Sequence, residues 1–249
     1  MLAVVVLPLY ATEQKQVEHA KIALARLSKV KCKPKCRFIV LDDGSPLQVA
    51  PILEKTAKGL SLDAKVVSFK KNLGYVEVMK QGYKLALSLN PSFIIKADMD
   101  LDFHQGNVLG RYLPLLQNGK QLLVSKRVPE LLLRMNPYEF KKRQELKSQI
   151  LAAYGFDVDP ASAGCFGFSH SVLSRVLSHP FIVNYSKQWG LDFAIVSVAL
   201  LLGIPVDVIK LPGRYDKERR PREKVDAQYE AYYFIINWYK KAVTPRRGS

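Results

Sequence analysis

Two aspartates separated by one residue, Asp98 and Asp100, end an apolar segment in the first half of the chain. The segment, Phe93-Ile94-Ile95, has the composition of a buried β-strand. Ligands of open α/β sheets bind outside the carboxyl ends of the strands. Paired carboxylates at such a position suit Mg²⁺ or Mn²⁺, whose remaining ligands a bound diphosphate can supply. Asp-x-Asp pairs are also frequent in turns, so the surrounding sequence has to decide between a metal site and a turn.

Polar or aromatic residues follow three further apolar segments, each of which predicts a strand. These residues are Pro8 and Tyr10 after residues 3–7, Asp42 and Asp43 after residues 37–41, and Asn72 and Gly74 after residues 64–69. The ring of Tyr10 offers a flat contact for a nucleotide base, and the Asp42 or Asp43 carboxylate can accept hydrogen bonds from the base edge. The segment Asp42–Ser45 equally suits a turn in which Ser45 caps the next helix.

Helical periodicity between these segments completes an alternating pattern. Apolar spacing of three and four residues predicts helices over residues 13–27, 47–58 and 76–89. Strands that alternate with helices of this length indicate βαβ units and a parallel sheet. The elements predicted in the second half are helices over residues 106–116, 138–154 and 229–243, an apolar helix that opens at Trp189-Gly190-Leu191-Asp192, and strands over residues 121–125, 163–168 and 205–209.

The composition is that of a globular protein with a strong excess of positive charge. The chain has 249 residues, of which 48% are hydrophobic, and a formal net charge of +16. Such a charge predicts an anionic partner, for which nucleic acid, acidic lipid head groups and nucleotide diphosphates all qualify. The opening apolar run is too short for a secretory signal, and no apolar stretch reaches the about 20 residues that span a bilayer. The three cysteines, Cys32, Cys36 and Cys165, are too few for a disulfide framework. Since this count is typical of a reducing compartment, we expect a cytoplasmic protein.

Taken in order, these segments resemble the GT-A fold of nucleotide-sugar glycosyltransferases, most closely the large inverting family of the family 2 type. The resemblance covers roughly residues 2–210 and implies an α/β fold with a mostly parallel central sheet flanked by helices in a single domain. The motifs that carry it are Pro8-Leu9-Tyr10, Leu41-Asp42-Asp43-Gly44-Ser45, Asn72-Leu73-Gly74, Ala97-Asp98-Met99-Asp100 and Trp189-Gly190-Leu191-Asp192. Within a glycosyltransferase domain of residues 1–225, we expect a nucleotide-binding half (1–103) and an acceptor half (104–225), followed by an aromatic, basic helix and tail (226–249).

The resemblance also implies a nucleoside-diphosphate sugar as donor and Mn²⁺ or Mg²⁺ as cofactor. In the family pattern the second Asp of Asp-Asp-Gly-Ser, here Asp43, reads the base. Asp98 lies near the ribose and the ion, and Asp100 binds the ion that bridges the diphosphate. Asp102 more readily suits a cap of the following helix than a third ligand. The expected donor-binding residues are Pro8, Tyr10, Asp42, Asp43, Asn72, Gly74 and Asp98.

Asp192 occupies the place of the family's catalytic base, which deprotonates the attacking hydroxyl of an unknown acceptor. Leu191 departs from the pattern, since many members carry an acid there. Trp-Gly-Leu-Asp is also similar to the retaining mannosylglycerate synthases, in which this Asp would not act as an inverting base, and Asp192 also suits the first turn of a helix. Expected acceptor-side residues are Gly164, Cys165, Trp189 and Gly190, and lid or diphosphate contacts are Glu218, Arg219 and Arg220.

Other functions account for parts of the sequence. A sugar-nucleotide pyrophosphorylase needs a glycine-rich loop after the first strand, where this chain has Pro8-Leu-Tyr-Ala-Thr-Glu13. A basic nucleotide- or nucleic-acid-binding protein without transferase activity would explain the charge, but no helix-turn-helix, RNP-like or zinc signature is present. The helix over residues 229–241 would suit peripheral contact with a membrane, although packing of its aromatic residues against the domain is the simpler expectation.

Overall fold

A computed structural model describes residues 1–31, 35–100, 104–127, 137–157, 164–212 and 221–244. The strands are β1 (Leu2–Leu9), β2 (Lys35–Asp42), β3 (Ala64–Ser68), β4 (Phe93–Ala97), β5 (Leu122–Arg127), β6 (Cys165–Ser169) and β7 (Val206–Leu211). The helices are α1 (Gln14–Ser28), α2 (Val49–Gly59), α3 (Tyr75–Ser88), α4 (Gln105–Gln117), α5 (Pro137–Tyr154), α6 (His170–Leu177), α7 (Pro180–Val183), α8 (Leu191–Leu201) and α9 (Arg222–Val243).

These strands form one sheet in the order β3-β2-β1-β4-β6-β5-β7. β1 pairs in parallel with both β2 and β4, β2 pairs in parallel with β3, and β5 with β7. β6 runs antiparallel to both of its neighbours, β4 and β5. The chain winds outward from β1 in one direction through β2 and β3 and in the other through β4. The carboxyl ends of β1 and β4 therefore meet at a switch point, where open α/β sheets bind ligands.

Alternation along β1 shows how the sheet separates two apolar layers. Val4 and Val6 pack into the layer that contains α3, α6, α8 and α9. Ala3, Val5 and Leu7 face the opposite layer, which contains α1, α2 and α4. Because successive side chains of a strand point to opposite faces, a continuous apolar run is required to fill both layers. This burial fixes the ends of β1 and β4 relative to each other.

The predicted α/β architecture, a mostly parallel sheet flanked by helices in a single domain, is confirmed. Two helices that were not predicted from the sequence, α6 and α7, lie between β6 and α8. The sequence also predicts a boundary of the glycosyltransferase domain after residue 225. In the structure α9 begins at Arg222, so that boundary falls inside a helix.

The aromatic residues of α9 pack largely against the domain, as predicted from the sequence. Tyr229 and Tyr232 are buried, and the Trp238 ring stacks on Phe181 of α7 with centroids 3.7 Å apart. Phe234 is the exception, because its side chain is exposed. Within the ranges described, no helix has the length and apolar character needed to cross a bilayer.

Candidate functional site

A cleft of about 730 Å³ opens at the carboxyl ends of β1, β2 and β4. The end of β1, the start of α1 and the turn after β2 form one wall of the cleft, and the segment after β4 forms its floor. The other wall consists of α3, the segment before α8 and the start of α9. Its lining residues are Pro8, Leu9, Tyr10, Gln16, His19, Asp43, Asn72, Gly74, Tyr75, Val78, Asp98, Met99, Asp100, Gln188, Trp189, Glu223, Lys224 and Ala227. The structure thus brings together candidates from both halves of the chain.

Asp43 lines the cleft and at the same time holds the loop after β3. One carboxylate oxygen accepts a hydrogen bond from the Leu73 amide (2.6 Å), and the other accepts one from the Gly74 amide (3.1 Å). Burial raises the pKa of the Asp43 carboxyl, and the two backbone hydrogen bonds oppose that shift. Since each carboxylate oxygen has two lone pairs, Asp43 keeps capacity to accept a hydrogen bond from a nucleotide base.

The neighbouring Asp42 is occupied within the turn. Its carboxylate accepts hydrogen bonds from the Ser45 amide (3.0 Å) and from the Ser68 hydroxyl on β3 (2.8 Å), and its side chain does not line the cleft. These contacts give Asp42 a structural role in the turn, and its contact with a donor stays a prediction. Ser45 does not cap α2, which begins at Val49; its hydroxyl instead accepts a hydrogen bond from the Ala11 amide (2.9 Å).

The segment that carries Asp98 and Asp100 is held from α4. The Gln105 side-chain amide donates hydrogen bonds to the backbone carbonyls of Asp98 (3.0 Å) and Asp100 (2.6 Å). Gln105 is fully buried, so its orientation is fixed by packing. The α4 N-cap is His104, whose ring nitrogen accepts a hydrogen bond from the Asn107 amide. The expected capping residue, Asp102, lies outside the described residues.

Two carboxylates beside an open cleft fit a divalent ion that takes its other ligands from a diphosphate. Asp98 and Asp100 are both partly exposed and both line the cleft. In the described part of the chain, no group of three or more His, Cys, Asp or Glu side chains lies close enough to hold a metal ion. Mg²⁺ is commonly bound through one or two carboxylates plus substrate phosphates, so the protein side chains alone do not need to form a closed cage.

Asp192, in the first turn of α8, is not itself among the lining residues but contacts Tyr75, which lines the cleft, and it is held by three donors. The Tyr75 hydroxyl donates a hydrogen bond to Oδ2, the Tyr83 hydroxyl donates one to Oδ1 at 3.3 Å, and the Lys96 ammonium lies 3.4 Å from Oδ2. The Asp192 side chain keeps 13% of its surface exposed. The helix N-cap is Gly190, at φ 90°, so the contacts of Asp192 are not those of a capping residue.

Lys96 of β4 contacts both Asp98 and Asp192 and was not identified as a functional residue from the sequence. Its ammonium lies 2.7 Å from Asp98 and 3.4 Å from Asp192. Burial alone would lower the pKa of Lys96, but the charges of Asp192 and Asp98 outweigh it and raise the pKa above its usual value. The sequence does contain an indication of its role, because a lysine within the apolar run Phe93–Ala97 is buried and a buried cation needs partners.

An aromatic pair forms the wall beside Asp192. The Tyr75 and Trp189 rings are stacked, with centroids 6.1 Å apart and planes 20° from parallel. The Lys224 ammonium of α9 lies 5.4 Å from the Trp189 ring centroid. Flat aromatic surfaces of this kind suit the apolar face of a sugar ring, and the predicted position of Trp189 beside the cleft agrees with the structure.

Three other residues expected on the acceptor side do not line the cleft. Cys165 is fully buried, and burial raises the pKa of its thiol. The Gly164 carbonyl accepts a hydrogen bond from Lys96 at 3.1 Å, so this residue acts through its backbone. Gly190 is required by packing, because an added Cβ would lie 2.8 Å from the Tyr185 hydroxyl. Glu218, Arg219 and Arg220, the expected lid residues, lie outside the described residues.

Comparisons with known proteins agree with this geometry. The family model for glycosyl transferase family 2 matches residues 5–177. No curated protein sequence matches the chain significantly. Among solved structures, a mycobacterial protein superposes with a TM-score of 0.68 at 19% identity, covering 98% of this chain and 76% of that one.

Two further structures have the same fold and were solved with nucleotide sugars. TarS of S. aureus, in complex with UDP-GlcNAc, gives a TM-score of 0.62 at 17% identity and covers 100% of this chain and 68% of that chain. A mannosyltransferase of Pyrobaculum calidifontis, in complex with GDP-Man and Mn²⁺, gives 0.61 at 13% identity and covers 96% and 72%. Since the family model matches well over half of the sequence, the protein belongs to glycosyl transferase family 2 and is a glycosyltransferase.

Proposed function

We propose that the protein transfers a sugar from a nucleoside-diphosphate donor to an acceptor hydroxyl with inversion at the anomeric carbon, assisted by Mn²⁺ or Mg²⁺. The observation that carries the proposal is the shared contact of Asp98 and Asp192 with one ammonium, that of Lys96. It brings Asp98, which lines the cleft, and Asp192, a candidate base from the second half of the chain, to the same ammonium.

The donor would occupy the side of the cleft formed after β1 and β2. Tyr10 is 43% exposed there and offers a flat surface to the base, while Asp43 can accept from a base N–H. Asn72 and Gly74 border the same wall, and the Gly74 backbone is fixed by Asp43. UDP-GlcNAc in TarS and GDP-Man in the archaeal mannosyltransferase support a donor of this class.

The diphosphate would lie above Asp98 and Asp100, which would hold the divalent ion. When bound, that ion acts as a Lewis acid and stabilises the negative charge that develops on the departing nucleoside diphosphate. Gln105 contributes by fixing the backbone of both aspartates. The segment after β4 therefore presents its carboxylates without needing to reorganise when the donor arrives.

Asp192 would take the proton of the acceptor hydroxyl as its oxygen attacks the anomeric carbon from the side opposite the diphosphate. Tyr83 contacts Oδ1, and this oxygen still has a lone pair for the acceptor proton. The stacked rings of Tyr75 and Trp189 border the space in front of it. An acceptor that carries a sugar ring fits this wall, and hydroxyl-bearing small molecules, glycans and lipid-linked sugars all belong to that class.

A panel of nucleotide sugars tests the proposal, with donor consumption and thermal stability measured with and without Mn²⁺. Binding of the true donor should raise the unfolding free energy by about 2.7 kcal/mol at a hundredfold excess over its Kd. NMR of the first-formed product then distinguishes inversion from the retaining outcome similar to that of the mannosylglycerate synthases. Absence of metal-dependent binding by any nucleotide sugar would contradict the proposal and favour a basic nucleotide-binding protein.

Location in the cytoplasm and peripheral contact with a membrane stay predictions. The exposed Phe234 has the Lys187 ammonium 5.1 Å from its ring centroid, an arrangement that would suit acidic lipid head groups. Co-sedimentation with vesicles of acidic and of neutral lipid tests this contact: binding to the acidic vesicles alone is expected, and no binding to either would contradict it.

A further inference from the structure

Lys96 lies in the middle of the sheet, where a lysine is costly to bury. It pairs in register with Val6 of β1 and Phe166 of β6, and only 1% of its surface is exposed. Its neighbours along β4, Ile95 and Ala97, are also buried. An unpaired ammonium would be unfavourable at such a position, so the partners of Lys96 determine its role.

Those partners use all of its donors. The Lys96 ammonium contacts Asp98 at 2.7 Å, the Gly164 carbonyl at 3.1 Å and Asp192 at 3.4 Å. A lysine has three N–H donors, and the three acceptors come from three separate segments of the chain. The Tyr75 ring, whose centroid lies 5.3 Å away, covers the ammonium as well. The position of the Lys96 nitrogen is therefore fixed from several directions.

We propose that Lys96 is a positioning residue that holds Asp192 in place against Asp98, so that the base and the diphosphate side of the cleft keep a fixed separation. This inference rests on the proposed function, in which Asp192 takes the acceptor proton. Displacement of a reacting group by about 1 Å can cost about 10²-fold in rate. A single cation that contacts both carboxylates prevents such a displacement.

Stability alone does not account for Lys96. Replacing buried ion pairs by apolar groups of similar volume is often neutral or stabilising, and the surroundings of β4 are apolar. Asp98 and Asp192 also keep 30% and 13% of their side-chain surface exposed, so water can solvate both once the lysine is removed. A methionine at this position would fill the same space without contacting either carboxylate.

The contacts of Asp192 also explain why loss of Lys96 should affect the rate more than donor binding. Tyr75 and Tyr83 would still hold Asp192 at the cleft, but its distance from Asp98 would no longer be set. The donor wall formed by Tyr10 and Asp43 shares no hydrogen bond with Lys96 among those the structure describes.

Lys96→Met tests the inference, with Lys120→Met as a matched control, since Lys120 forms an exposed ion pair with Asp207. We expect kcat of Lys96→Met to fall about 10²-fold, with the KM for the donor nearly unchanged and no fall in the control. Lys96→Gln, which keeps a donor, serves as a second variant and should lose less. In an Asp192→Asn background, Lys96→Met should lower kcat by less than about twofold, because the two residues act through one interaction.

Each outcome distinguishes the inference from the function on which it rests. A wild-type protein that transfers no sugar from any donor would overturn the proposed function and this inference with it. An active wild type whose Lys96→Met and Lys96→Gln variants keep normal kcat would overturn the inference alone. Losses that add in full in the double variant would also overturn it, since they would show that Lys96 does not act through Asp192.

Discussion

Tyr75 donates a hydrogen bond from its hydroxyl to Asp192, which joins the candidate base to the donor wall of the cleft. Tyr75 follows Gly74, whose backbone amide is held by the Asp43 carboxylate at 3.1 Å. The segment after β3 thus contacts Asp43, the expected base-reading residue, at one end and Asp192, the proposed proton acceptor, at the other. Movement of this segment would change both contacts together.

Tyr75→Phe should lower kcat about tenfold while leaving the donor KM nearly unchanged. The variant keeps the ring that stacks on Trp189 but removes one hydrogen bond to a carboxylate, and such bonds contribute about 1.5–3 kcal/mol. Steady-state kinetics with a fixed acceptor measure the effect. Tyr138→Phe is the control, because the Tyr138 hydroxyl donates to Asp226 and neither residue lines the cleft. Equal losses in both variants would contradict a specific role for Tyr75.

Asp43→Asn should weaken nucleotide binding by about 1–3 kcal/mol. An amide replaces one acceptor oxygen by a donor, so the variant also places an NH₂ group against the Leu73 or Gly74 amide and should lower the melting temperature. Calorimetry with the nucleotide and a thermal melt separate the two effects. A lower melting temperature with unchanged affinity would show that Asp43 only holds the loop. Asp63→Asn is the control for loss of a carboxylate charge, because Asp63 forms an exposed ion pair with Arg37.

Asp100→Ala should abolish the part of nucleotide affinity that depends on a divalent ion. The residue lies at the partly exposed end of β4, and its loss should leave the fold intact because it contributes little to the core. Titration of nucleoside diphosphate with Mn²⁺ and with a chelator measures the difference, and Asp207→Ala provides a control on the opposite edge of the sheet. Metal-dependent affinity equal to that of the wild type would exclude Asp100 as a ligand.

Stability should fall steeply as the pH rises above about 10. Burial raises the pKa of Tyr83 and of Tyr112 well above the usual value near 10. Between pH 10 and these raised pKa values, both tyrosines are deprotonated in the unfolded chain but stay protonated in the folded chain. The free energy of unfolding therefore decreases as the pH rises. Tyr112→Phe should make that slope shallower, by about 0.7 kcal/mol per pH unit near pH 10 and approaching about 1.4 kcal/mol per pH unit above pH 11. Urea unfolding at pH 9 to 11 measures it, and an unchanged slope would contradict the burial argument.

The strands that carry the site were predictable because their signals are local. Continuous apolar runs identified β1, β2 and β4, and their ends placed Tyr10, Asp43 and Asp98 at one edge of the sheet. The antiparallel direction of β6 was not predictable in this way, because the direction of pairing depends on the path of the chain between strands. Helix α6 was predictable, because its buried residues Val172, Leu173 and Val176 have helical spacing.

Contacts between distant segments account for most of the differences at the site. Ser45 has the local pattern of a helix cap but accepts a hydrogen bond from Ala11 instead. The pattern around Gly164 and Cys165 suggested a wall for the acceptor. In β6, however, Gly167 is needed for packing, because a Cβ added there would lie only 2.9 Å from the Tyr112 ring. Short-range patterns indicate which residues are unusual, but their partners follow only from the packed structure.

The measurement that tests the central claim most directly is kcat of Asp192→Asn with the true donor and acceptor. The variant preserves volume, and the helix cap at Gly190 is unaffected, but an amide cannot take a proton. We predict a fall in kcat of about 10²–10⁴-fold with donor affinity little changed, and a wild-type product of inverted configuration by NMR. Normal turnover by Asp192→Asn, or a product that retains the configuration of the donor, would contradict the assignment of Asp192 as the inverting base.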